Sequence, residues 1–348
     1  MAYSVIDKSS SFINTLLYTG TGASNAQTGA GFQPDMTWLK SRSATTSHYL
    51  FDSARGATKA IFPDLTDTEA TNAEYLKSFD SDGFTVGTNA GINNNTVTYA
   101  GWNWKAGTTS GLSGGTITPS AYSLNTTAAQ GIYAYTGNGT GGATIPHGLG
   151  KVPTFIMAKK LNSTGSWMVY HKSEGAAKVG YLDADAAFGS GTAVWNSVTP
   201  TTSLITIGTD GDVNGNTDTF VMYAFCDVSG YCATGKFDGN GDTRGCFIQT
   251  GFKPAFVMIK RTNGTGPWMI YHDKVPGYNE TNTYIQANAA SAEDTNAGNF
   301  GMSMYATGFQ PQSTSGATGP NQDGDDYVYV AFANKPIASS NSKAGTAR

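Results

Sequence analysis

One ordered set of short segments, met three times, constrains this chain more than anything else in it. A Gly-rich approach, a proline, an apolar run and a basic stop read "GFQPDMTWLK" at 31–40, "GLGKVPTFIMAKK" at 148–160 and "GFKPAFVMIKR" at 251–261. Before it stands an aromatic strand with a Gly turn: "LLYTGTG" (16–22), "IYAYTGNG" (132–139), "GKFDGNG" (235–241). After it come "HYLFDSARG" (48–56), "WMVYHKSEG" (167–175) and "WMIYHDKVPG" (268–277). Next are "SDGFTVGTNAGINNN" (81–95), "ITIGTDGDVNGN" (205–216) and "ATGFQPQSTSGATG" (306–319). Each copy closes on an alternating strand: "YAGWNWKAG" (99–107), "FVMYAFCDVSG" (220–230), "YVYVAFANKP" (327–336). The period is roughly 100–120 residues, longer than a solenoid repeat and the size of a small domain.

The repeats divide the chain into an N-terminal arm (1–10), a first unit (11–107), a polar linker (108–130), a second unit (131–230), a third unit (231–337) and a C-terminal tail (338–348). The linker "TTSGLSGGTITPSAYSLNTTAAQ" is rich in Ser, Thr and Gly, whereas "DVSGYC" leaves almost nothing between units two and three. Those two units are therefore expected to dock rigidly. Within a unit, runs such as Phe155, Ile156 and Met157 suit a strand buried on both faces. Pro34, Pro153 and Pro254 have no N–H to donate and belong where that strand begins. Lys40, Lys159 and Lys260 end the run and are expected near solvent, stems laid over the sheet edge. Helix is expected once, over 66–79, where Thr71 and Glu74 have capping-box spacing.

Composition agrees. The 44 glycines and a charged fraction of 13% are unlike a helix-rich enzyme, and 12% aromatics suit short strands joined by tight turns. The fold expected is all-β: three tandem antiparallel β-sandwiches with very little helix. Net charge is −4 with no basic stripe, which argues against nucleic acid as a partner. No apolar run reaches membrane-span length, so no membrane insertion is expected. "MAYSVIDKSSS" lacks the pattern of a cleaved secretion signal, and folding in a cytoplasm is expected. The cysteines Cys226, Cys232 and Cys246 are too few for a disulfide framework. A Cys232–Cys246 pair is the alternative to buried free thiols.

The set "FQPDMTWLKSR…SHYLFDSARGATKAI…SFDSDGFTVG…TYAGWNWKAG", continuing through "TGNGTGGATIPHGLGKVP", "WMVYHKS", "TGFKPAFVMIKRT" and "VYVAFANKP" to "GTAR", resembles a recurrent domain of unknown function in proteins of marine tailed phages. The resemblance covers nearly the whole chain. It implies a virion-associated structural protein, assembled in the host cytoplasm, with jelly-roll or concanavalin-like sandwiches. Members of that group carry labels such as tail fibre or structural protein, and no catalytic residues are established for them.

Two residue sets invite chemistry. In "GTDGDVNGNTD", Asp210, Asp212, Asn214 and Asp218 alternate like an oxygen-rich calcium loop. Val221 stands where an EF-hand needs its Glu, and Asp, Asn and Gly are also what tight turns demand. Turn chemistry is favoured over bound Ca2+, and no other cofactor is expected. Trp102 and Trp104 share one face of a strand, and Trp167 and Trp268 recur before "Met-x-Tyr". Core packing is the plain reading; an aromatic platform for glycans is the sharper one. His171 and His272 occupy repeated positions, where Asp52 stands in unit one, and are expected to hydrogen-bond rather than shuttle protons. Asp80, Asp82, Asp183 and Asp185 form no recurring carboxylate pair of the kind glycan cleavage needs.

These readings converge on a non-enzymatic surface protein of a phage particle, of tail-fibre or receptor-binding type. Its partners would be other virion proteins, copies of itself and host surface glycans, with tandem modules supplying avidity. A capsid decoration (cement) protein is the alternative, and a polysaccharide depolymerase a distant third.

Overall fold

The computed structural model describes residues 6–275, 279–295, 300–312 and 319–336. Each unit builds one principal antiparallel sheet in the same order: its opening strand, its closing strand, the apolar strand that follows Pro34, begins at Pro153 or takes in Pro254 at a register shift, and the strand after that. In unit one these are Ile13–Thr19, Thr98–Trp104, Met36–Ser41 and Tyr49–Asp52. Unit two uses Gln130–Thr136, Thr219–Cys226, Pro153–Lys160 and Met168–His171. Unit three uses Cys232–Asp238, Asp326–Pro336, Phe252–Arg261 and Met269–His272. First and last segments of a unit thus pair side by side, which closes the unit on itself.

A smaller layer covers the outer face of each sheet. It comprises Asn25–Thr28, Gly83–Val86 and Leu76–Asp80 in unit one, Ala143–Pro146 with Leu204–Ile207 in unit two, and Ile248–Gln249, Gly308–Gln312, Gly301–Tyr305 and Asn279–Thr281 in unit three. Residues opposed across an antiparallel ladder share a face. Tyr18 opposite Tyr99 and Leu39 opposite Gly101 therefore point outward into unit one's own core, with Phe51, Phe84 and Ile92. Unit three has the matching core around Val257, Tyr271, Phe309 and Tyr327. The expected all-β, antiparallel architecture is present, with very little helix.

The inner faces meet one another. Trp102 lies opposite Trp38, and Trp104 opposite Met36, on the face turned away from unit one's own core. Trp104 packs edge-on against Phe256 at 5.8 Å and Phe332 at 5.7 Å, both from unit three, and tilted against Phe225 of unit two at 6.4 Å. Phe225 and Phe332 meet at 5.3 Å. Equivalent positions on the three closing strands thus converge in one shared apolar centre, and the units enclose it rather than following one another like beads.

Backbone hydrogen bonds at the junctions repeat in cyclic order. Glu69 N donates to Leu161 O, Phe188 N to Thr262 O and Glu293 N to Arg42 O, at 2.9–3.0 Å. Gly165 N donates to Thr66 O, Gly266 N to Asp185 O and Thr46 N to Ala290 O, at 2.8–3.0 Å. In both sets the bonds join unit one to two, two to three and three to one. The chain is a closed pseudo-threefold ring.

Several local expectations change. Residues 66–79 hold no helix; Asn72 Oδ1 accepts Glu74 N in a tight turn, and the carboxylate of Glu74 accepts from Thr88 N. The capping-box residues serve turns because the segment must reach back to pair Leu76–Asp80 with Gly83–Val86. The stretch read as a linker contributes a strand, Ala121–Asn125, along the outer edge of unit two's opening strand. The arm is docked where described: Ile6 is buried in the shared centre, and Ser9 Oγ donates to Gly230 O at 3.3 Å. Arm residues 1–5 and the tail expected at 338–348 lie outside the described residues. Among the described residues no helix is long and apolar enough to cross a membrane.

Candidate functional site

The four tryptophans read as a glycan platform are 0, 4, 0 and 1% exposed at Trp102, Trp104, Trp167 and Trp268. No sugar ring can stack on them. Trp102 and Trp104 fill the shared centre, while the other two rivet the junctions. Trp167 Nε1 donates to Phe62 O of unit one at 2.9 Å, and Trp268 Nε1 to Tyr181 O of unit two at 2.8 Å. His48 stands at the same place in unit one, its Nε2 2.9 Å from Gln286 O of unit three. One position thus bridges all three junctions with a ring nitrogen.

The lysines expected near solvent lie on the same seams and are buried. Lys159 Nζ meets Thr66 O of unit one at 3.1 Å, Lys160 O at 3.0 Å and Gly165 O at 2.9 Å, one acceptor for each ammonium hydrogen. Lys260 Nζ reaches Asp185 O of unit two at 2.8 Å, and Lys40 Nζ reaches Ala290 O of unit three at 3.2 Å. The neighbouring unit's carbonyls roof each strand end, which removes the solvent route. Burial lowers all three to about 8, so they remain cationic at neutral pH.

The residues read as a cation loop are each committed to the fold. Asp210 caps a single helical turn, Gly211–Asn214, by accepting Asp212 N at 2.8 Å. Asp212 accepts Ser166 N at 3.0 Å, and Asp218 pairs with Lys160 Nζ at 2.7 Å. Asn214 is buried; its Oδ1 accepts Asn138 N, and its Nδ2 donates to Thr140 O and Gly208 O. Asn93 and Asn321 clamp the same turn in the other units, through Thr21 N and Asn240 N. The turn glycines Gly20, Gly137 and Gly239 pass so close to a backbone carbonyl that an added Cβ would collide with it. Turn chemistry accounts for the pattern, and among the described residues no group of three or more His, Cys, Asp or Glu is disposed to hold a metal.

The other polar candidates are likewise structural. His171 Nε2 contacts Tyr329 O of unit three at 3.0 Å, and burial lowers the ring to about 4. His272 departs from the expected hydrogen-bonding role: it is buried against the Trp102 ring at 5.8 Å with neither nitrogen hydrogen-bonded, because apolar side chains of the shared centre surround it, and burial lowers it to about 3. Asp80 and Asp82 accept from Ser78 and Gly29, and Asp183 and Asp185 accept from Trp167 N and Asn288 Nδ2. Cys226 and Cys232 are buried free thiols and Cys246 is a half-buried one.

Polar and apolar groups converge instead in a cleft of about 360 Å³ between units one and two. Its charged wall is Arg55, Lys59 and Glu69; its far wall includes Ser120 and Ala121, with Leu161 and Thr219 between. Arg55 is held by Asp52 at 2.6 Å and Glu69 at 3.0 Å. Burial alone would lower its pKa, but Asp52, Tyr223 and Glu69 outweigh that and raise it. Lys59 Nζ stands 3.5 Å from Glu69 and faces outward. Sequence reasoning missed this cleft because its walls come from different units, although "SARGATK" differs in charge from its counterparts "KSEGAAK" and "DKVPG".

A family model described as "Domain of unknown function (DUF7483)" matches residues 8–336, and the chain belongs to that family. The match takes in all three units. No curated protein matches the chain.

Proposed function

We propose that this chain is a non-enzymatic structural protein on the surface of a tailed-phage particle, of tail-fibre or receptor-binding type, with host surface glycans among its partners. The observation that carries this reading is the use to which the ring puts its chemistry. Its buried cations, indoles, amides and imidazoles sit at junctions and turns, where they bond the three units into one block. Such a block suits a particle component that must keep its shape under load. The resemblance of the repeated segments to proteins of marine tailed phages points the same way.

A capsid decoration protein is the second reading, and the ring's symmetry favours it specifically. A single chain with three like edges can sit over a local threefold position of a shell, meeting three neighbours with related surfaces. Immunogold electron microscopy of purified particles, with antibody raised against this chain, separates the two. Gold at the tail supports the adhesion reading, and gold over the head supports decoration. Particles that carry no gold, beside infected lysates that contain the protein, would overturn both.

A further inference from the structure

We propose that the cleft between units one and two binds a neutral, hydroxyl-rich ring, a pyranose of a surface glycan; this rests on the particle-surface reading and gives its glycan contact a place. The first argument is asymmetry. The three junctions share their backbone bonds, yet the cleft forms where the 108–130 segment lays Ala121–Asn125 outside unit two's opening strand and builds a far wall. At the junction of units two and three, Phe188 takes the place of Glu69 and packs against Trp268 at 6.2 Å. At the junction of three and one, Glu293 takes that place and is ion-paired with Arg42. The same site is thus filled, closed or open according to the junction.

The second argument is charge. Arg55 and Lys59 are balanced by Asp52 and Glu69, so the wall carries no net charge to draw an ion of either sign. An anion entering beside Lys59 would meet Glu69, and a cation would meet Lys59. A hydroxyl suits both, accepting from the ammonium and donating to the carboxylate. Leu161, Ala54 and Ala121 offer apolar surface for the C–H face of a ring, and the volume falls in the range of small-ligand pockets. Thr219, an exposed residue of the lining, adds a hydroxyl.

The test is saturation-transfer-difference NMR of the full chain with four probes at millimolar concentration: methyl glucopyranoside, methyl galactopyranoside, methyl mannopyranoside and N-acetylglucosamine. At least one is expected to show transfer to its ring protons. Ala121→Trp, at a half-buried edge position, fills the cleft and should abolish that transfer; Lys59→Ala should weaken it about tenfold. No transfer to any of the four probes overturns the proposal, as does transfer undiminished in Ala121→Trp. Binding of labelled protein to host cells keeps the two readings apart. Adsorption that survives Ala121→Trp leaves the surface reading standing while this cleft falls. Transfer that Ala121→Trp abolishes, from a protein absent from purified particles, leaves the cleft standing while the surface reading falls.

Discussion

Replacing Trp268 with Phe tests whether the three units form one cooperative ring. The Trp268 indole is buried and its N–H donates to Tyr181 O across the junction of units three and two at 2.8 Å. Phe retains much of the aromatic surface but has no N–H, so the carbonyl loses that partner. An unpaired buried polar group costs about 1–3 kcal/mol. The smaller ring also leaves a void of roughly 40 Å³, which at about 24 cal/mol per Å³ adds about 1 kcal/mol. A loss of about 2–4 kcal/mol is therefore expected. Urea unfolding would be followed in parallel by tryptophan fluorescence and far-UV circular dichroism, with calorimetry alongside. A closed ring unfolds in one transition seen alike by every probe, and the substitution moves the whole of it. Trp167→Phe, which removes the equivalent bond to Phe62 O at 2.9 Å, should move it by a similar amount. Two resolved transitions, only one of them displaced by Trp268→Phe, would refute the ring and restore three independent sandwiches.

Acid should weaken the fold through its buried imidazoles. His171 at about 4 and His272 at about 3 stay neutral where the unfolded chain, with an ordinary value of 6.5, takes up protons. Their contribution is complete above pH 6.5 and is lost as pH falls toward those values. The melting temperature should decline over that window, and His272→Phe should flatten the decline; parallel profiles would contradict this. Asn214→Ala leaves Asn138 N, Thr140 O and Gly208 O without that partner and should cost about 2–4 kcal/mol. Chelator and added calcium should leave the melting temperature of the unsubstituted protein where it is, and a calcium-dependent rise would revive the cation reading of that loop. Reductive methylation followed by mass spectrometry should spare Lys40, Lys159 and Lys260 while labelling exposed lysines such as Lys59. Native labelling of those three would show that the seams open.

The repeat is legible in the sequence because each unit solves the same local problems with the same residues. A turn that brings backbone within contact of a carbonyl needs Gly20, Gly137 or Gly239, and alternation fixes which side chains share a face. What lies beyond that face is a different kind of fact. Trp104 and Phe332 are 228 positions apart in the numbering and meet at 5.7 Å, and nothing local to either residue records it. The lysines show the same limit, since a basic residue closing an apolar strand reads identically whether water or a neighbouring carbonyl receives it. One signal did exist. Lys recurs at 40, 159 and 260 while the next residue varies as Ser41, Lys160 and Arg261. A solvated stop tolerates such variation, whereas three donors matched to three carbonyls do not. The cleft had no comparable signal, because Arg55 and Ser120 become neighbours only when unit two docks.

A ring made from one chain has a seam that no peptide bond crosses directly, here between units three and one. The structure places extra fastening there. Arg42 and Glu293 form an ion pair across it, beside the His48 and Lys40 bonds that match those at the other junctions. The chain's beginning also reaches over to unit three: Phe12 packs edge-on against Tyr231 at 5.9 Å, and Tyr231 Oη donates to Gln130 Oε1 at 2.7 Å with Phe12 O 3.4 Å away. Beside that contact Ser9 Oγ donates to Gly230 O at the end of unit two, and Ile6 is buried in the shared centre. Covalent continuity holds units two and three together through "DVSGYC", so that junction can spend Phe188 on apolar packing alone. At the junction of units one and two, tethered by the longer 108–130 segment, Glu69 pairs with Arg55 and Lys59 of its own unit, so neither an ion pair across the junction nor an aromatic ring closes the site. That is what leaves the Glu69 site open to a ligand.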